Sequence, residues 1–74
     1  MQTITFNTGN VSVYTFADDA TLTTSSDNIT TPSFIIGDMN SSNSTIHTGV
    51  TVPDGWKGGK HTYDGSAWGN VAGW

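Results

Sequence analysis

The chain reads as an all-β protein, a small antiparallel sandwich or barrel of six to seven short strands. Three observations predict this. Apolar and polar residues alternate with period two in several short runs. Turn residues break those runs roughly every 8–12 residues, the rhythm of a small sandwich or barrel. Glu and Arg are absent, all six acids are Asp, and Thr, Asn and Gly are abundant. The missing residues are good helix formers and the abundant ones are poor. No window keeps helical spacing for three turns.

Thr3-Ile4-Thr5-Phe6 alternates and predicts the first strand. Asn7-Thr8-Gly9-Asn10 is a turn, because Asn and Gly tolerate positive φ. Val11-Ser12-Val13-Tyr14-Thr15-Phe16 resumes the alternation and closes a hairpin over 3–16. Asp18-Asp19 is a second turn; without a D-x-D-x-D-G loop it does not read as a calcium site. Ala20 to Thr24 is a weaker strand, Ser25 to Asn28 a turn, and Ile29 to Thr31 continues the sheet. Pro32 fits only a strand start or an edge. Ser33-Phe34-Ile35-Ile36 is a short apolar strand closed by Gly37-Asp38, and Asn40 to Ser44 is a polar loop. Thr45 to Val52 reads as one strand bent at Gly49. After the Pro53-Asp54-Gly55 turn, an aromatic hairpin runs to Trp68, and residues 69–74 form a C-terminal tail. Asp54-Gly55 and Asp64-Gly65 are hairpin-turn signals.

The 74 residues make one domain, 1–74. A domain this small buries only roughly 60% of the surface its unfolded chain exposes. Such scaffolds are usually held by disulfides, a metal or oligomerisation. There is no cysteine, so disulfides and thiolate zinc are excluded. His47 and His61 match no structural zinc spacing. Self-association, or docking on a larger body, is the remaining expectation. The net charge of −4 and the mere two lysines leave no basic stripe for nucleic acid. The same balance disfavours an anionic membrane surface, and no apolar run approaches the ~20 residues of a membrane span. No basic stretch followed by an apolar one opens the chain, so no signal peptide is expected.

No catalytic constellation stands out, and no enzyme, metal site or cofactor is expected. The acids sit at turns, and no Ser lies in a G-x-S-x-G elbow. His47 and His61 read as surface residues. N-x-S/T triplets begin at Asn10, Asn28, Asn40 and Asn43, as composition alone would produce. The candidate binding residues are Trp56, Lys57, Lys60, Tyr63, Trp68 and Trp74. Trp and Tyr are enriched among interface anchors, although large aromatics also serve as the core of a small protein. Edge lysines also block unwanted strand pairing.

Pro53-Asp54-Gly55-Trp56, Gly59-Lys60, Tyr63-Asp64-Gly65 and Trp68 resemble the C-terminal ends of short structural and accessory proteins of tailed bacteriophages. Those often close with a P-x-G-W-x-G-x-K-Y-x-Y-x-G-x-x-W run; here His61 stands where an aromatic is usual. The match covers about a quarter of the chain. The resemblance implies a virion component present in many copies. The expected role is a capsid decoration (cement) protein. It would bind between major capsid subunits as a homo-oligomer and stabilise the shell. The alternatives are a small tail or fibre-attachment protein, and a carbohydrate-binding module that meets a glycan on a Trp platform. The latter resembles small sugar-binding modules of chitinases in its Tyr-x-Gly and Trp residues. If the hairpin is an assembly surface, Trp56 and Trp68 should be largely buried, by the domain's own strands or by a partner. If it is a sugar platform, at least two of Trp56, Tyr63 and Trp68 should be coplanar and solvent-exposed in the assembled state.

Overall fold

The computed structural model describes residues 1–73. Those residues form an all-β structure without a helix. The strands are β1 (Gln2–Phe6), β2 (Val11–Phe16), β3 (Thr23–Thr24), β4 (Ile29–Thr30), β5 (Ile35–Ile36), β6 (Ser44–His47), β7 (His61–Tyr63) and β8 (Trp68–Asn70). They make a five-stranded sheet, β6-β1-β2-β7-β8, and a three-stranded sheet, β3-β4-β5, with antiparallel pairing throughout.

The described residues form eight strands where six or seven were expected. The segment 45–52 stops being a strand after His47, and beyond it Val50 N–H bonds Met1 O at 2.8 Å. The region after Pro53 begins with two turns, closed by Trp56 N to Pro53 O and Lys60 N to Lys57 O. Within it only His61–Tyr63 and Trp68–Asn70 are strand. Gly69 and Asn70 belong to β8 and not to a tail. Gly69 pairs with Thr62, and a Cβ there would come within 2.8 Å of the Thr62 hydroxyl. A residue without a side chain suits that pairing.

The first hairpin sets the frame. Asn10 takes a left-handed conformation, φ 57°, as Asn does more readily than most residues. Ile4 faces Tyr14 but Thr5 faces Ser12, so Val13 is an extra residue in β2. Such a bulge bends a strand and increases its twist.

One face of the large sheet meets the small one. Ile4, Ile29, Ile36 and Met39 are buried at their contact, with Phe6, Val13, Tyr14, Phe16, Leu22 and Ile46 packed around them. Gln2, at the start of β1, donates through its amide to Ala17 O at 2.9 Å and Ala20 O at 2.8 Å, and so fastens the Asp18-Asp19 turn. The Asp18 carboxylate accepts from the N-terminal ammonium at 3.0 Å and from Gly49 N–H at 3.2 Å. These contacts hold its pKa below the ordinary value.

The other face curls on itself. Three ladder steps separate β6 from β7, roughly 14 Å in a flat sheet. Yet the rings of His47 and Tyr63 lie 5.0 Å apart, edge to face. The sheet therefore folds over its Thr- and Ser-bearing face, and the β7–β8 hairpin closes the curl.

Candidate functional site: the aromatic hairpin and the hydroxyl face beneath it

The concave face carries Thr3 and Thr5 of β1, Ser12 of β2, His47 of β6 and His61 of β7, as the register requires. Thr3, Thr5, Ser12 and His61 are buried. Burying hydroxyls costs free energy unless they are hydrogen-bonded. Here they form a directed chain. Thr3 Oγ1 donates to Tyr14 O at 2.9 Å. A hydroxyl has one proton, so the 2.6 Å bond between Thr3 and Ser12 uses the Ser12 proton. The Ser12 oxygen then accepts from the Trp56 indole N–H at 3.0 Å. Trp56 is thus tied through two hydroxyls to the middle of the sheet.

The strap that carries Trp56 lies close on β2. Gly59 N–H bonds Ser12 O at 2.9 Å. A Cβ on Gly58 would stand 2.6 Å from Val13 O, so only glycine lets the strap come this near. Beside it the β7–β8 hairpin turns at Asp64, whose carboxylate accepts from Ser66 and Ala67 N–H, both at 2.8 Å. The backbone donors Ala67 and Ser66 lower the Asp64 pKa, with a smaller contribution from nearby His47.

The two histidines differ from their sequence expectation of surface positions. His47 is half-buried, shares a hydrogen bond with Thr5 Oγ1 at 3.2 Å, and meets Tyr63. His61 is 8% exposed, and its Nδ1 is buried without a hydrogen-bond partner. Its register neighbour Ser12 has already given its proton to Thr3. The His61 ring lies edge-on to Trp68, centroids 6.3 Å apart.

The proposed binding residues separate into groups. Tyr63 and Trp68 pair across the hairpin, with centroids 4.6 Å apart and planes tilted by 38°. Trp56 belongs to the strap and the hydroxyl chain. All three are half-buried in the single chain, and Tyr63 and Trp68 are not coplanar. Lys57 is exposed and Lys60 half-buried. The Lys60 backbone is engaged, its carbonyl accepting from Val71 N–H at 2.8 Å. Trp74 lies outside the described residues. No pocket opens among the described residues, and no cluster there of three or more His, Asp or Glu could hold a metal.

Sequence reasoning missed two exposed large apolar side chains. Phe34 is 44% and Ile35 63% exposed. Phe34 meets Tyr14 and Phe16 at centroid distances of 5.7 and 6.1 Å, on the far side of the large sheet from the hydroxyl face. Alternation within Ser33-Phe34-Ile35-Ile36 was the available signal, since a strand buried on one face must turn its intervening residue outward. No protein-family model, no curated protein and no solved structure matches this chain.

Proposed function

We propose that this chain is a non-enzymatic virion structural protein, a capsid decoration protein that binds major capsid subunits through its aromatic hairpin and strap. The carrying observation is that Trp56, Tyr63 and Trp68 are each half-buried. Each ring is anchored on its own domain: Trp56 by Ser12, Tyr63 by His47 and Trp68, and Trp68 by His61. The remaining surface of each stays open. Pre-anchored aromatics lose little side-chain freedom on docking and are typical interface anchors. The mechanism is mass action: a protein that binds the assembled shell and not the loosened one stabilises it by its binding free energy.

The phage reading rests on the resemblance of residues 53–68 described above. The tail or fibre-attachment alternative uses the same surface. The 38° tilt between Tyr63 and Trp68 disfavours a flat sugar platform. The test is mass spectrometry of particles banded from the phage or prophage that encodes the chain. A stoichiometry close to that of the major shell subunit is the expected result, and a chain missing from the particles overturns the proposal. A saturable change of tryptophan fluorescence with chitin oligomers would promote the glycan reading instead.

A further inference from the structure

We infer that the free edge of the three-stranded sheet, at β5, binds a second copy of this chain through an antiparallel β5–β5 pairing centred on Ile35. This surface lies across the large sheet from the aromatic hairpin, and the inference does not rest on the virion reading.

The backbone comes first. Thr31 N–H bonds Phe34 O at 2.8 Å, which makes 31 and 34 a hydrogen-bonded pair of the β4–β5 hairpin. Antiparallel ladders alternate bonded and non-bonded pairs. Ile36, opposite Ile29, is then bonded inward, and Ile35, opposite Thr30, is not. The N–H and C=O of Ile35 therefore point out from the sheet edge, where unpaired groups template another strand.

The side chains come next. Ile36 is 3% exposed and faces the core, whereas Ile35 is 63% exposed on the outer face. Phe34, 44% exposed, lies at the rim with Tyr14 and Phe16. The β5 edge is thus apolar on both sides. The other edges differ: β3 is Thr23–Thr24, β6 exposes Thr45, and the tryptophan of β8 is packed on Tyr63.

Charge and symmetry select the occupant. Residues 28–37 carry no charge. A two-fold pairing that sets Ile35 against Ile35 of the second copy places Phe34 opposite Ile36, Ser33 opposite Gly37 and Pro32 opposite Asp38. No like charges meet, although the chain carries −4. Gly37 has open space around it, so the approach is unobstructed on that side. The contact is isologous and closes at two copies. It joins two three-stranded sheets into one of six and covers both Ile35 side chains.

The test measures the mass of the full chain in solution at micromolar concentration, by light scattering or sedimentation. Twice the chain mass is expected. Ile35→Lys should return it to a monomer with an unchanged far-UV circular dichroism spectrum. Because the chain has no cysteine, Ile35→Cys is a second, direct probe. A bonded antiparallel pair sets Cα atoms about 5.5 Å apart, within the span a disulfide bridges. Mild oxidation should cross-link Ile35→Cys quantitatively and leave Thr23→Cys, on the opposite edge, largely uncross-linked. A monomeric wild type overturns the inference. So does a dimer that survives Ile35→Lys, or an Ile35→Cys protein that cross-links no better than Thr23→Cys.

Discussion

The two faces of the five-stranded sheet are buried by different physics. The convex face is aliphatic: Ile4 meets Ile29, Ile36 and Met39, all at most 3% exposed. The concave face is lined by Thr3, Thr5, Ser12 and His61, all at most 8% exposed, and its hydroxyls are tied by hydrogen bonds. The first removes apolar surface from water and gains from it directly. The second exchanges bonds to water for internal ones, and the net gain per bond is small, about 1 kcal/mol. The difference teaches where the molecule is firm and where it is adjustable. The aliphatic face supplies stability. The hydroxyl face specifies how the strap and hairpin sit, at little net gain.

The largest test of that contrast is Ile29→Ala. It removes a fully buried side chain from the aliphatic face and should cost about 2–5 kcal/mol in urea unfolding. In a domain this small that is a large share of the total. A loss no greater than that of a concave-face substitution would break the contrast.

Ser12→Ala comes next. It strands the Trp56 indole N–H and leaves Thr3 one bond short, and should cost about 1–3 kcal/mol. Trp56→Phe combined with Ser12→Ala should then cost less than the sum of the two single changes. Additive losses in that double-mutant cycle would show that the chain is not coupled.

His61→Leu sharpens the contrast by its expected mildness. The buried Nδ1 has no partner to lose, and exchanging an unsatisfied polar atom for an apolar one offsets the cost of repacking. Stability within ~1 kcal/mol of wild type is expected, read by the urea midpoint. A loss as large as that of Ser12→Ala would mean that His61 has a bonding role in solution.

The smallest effect concerns acid. The folded-state pKa of Asp64 is lowered from 3.8 by the backbone donors of Ala67 and Ser66. A lowered carboxyl contributes stability above its unfolded pKa and loses it as pH falls through the folded value. Wild type should therefore weaken below pH 3.8. Asp64→Asn, which keeps an acceptor oxygen but does not titrate, should show a slightly shallower acid dependence in thermal melts. Because Asp64 is exposed, a difference rivalling that of Ser12→Ala would contradict this account.

Much of the β framework was legible in residues 1–36. The alternation of Thr3 to Phe6 and Val11 to Phe16, with Asn and Gly between, marks β1 and β2 through local backbone and pleat preferences. The Asp64-Gly65 turn was readable for the same reason. The strap was not: glycines at 55, 58 and 59 signal a turn but not that Gly58 must press on Val13 O. The candidate site was half legible. Aromatic spacing singled out Trp56, Tyr63 and Trp68, but not their division between a strap and a hairpin.

By itself the sequence determined the strand class, the early hairpin and the absence of disulfides, because period, turn chemistry and cysteine count act locally or by composition. Only the tertiary structure decided that both faces of the large sheet are covered. Threonine alternating with isoleucine predicts a wet face and a dry one. Here the curl brings His47 to Tyr63 and shuts the hydroxyls of Thr3 and Ser12 beneath Trp56. That closure depends on contacts between residues more than forty positions apart, such as the bond of Trp56 to Ser12. It is a property of the twist accumulated across five strands, which no single segment encodes.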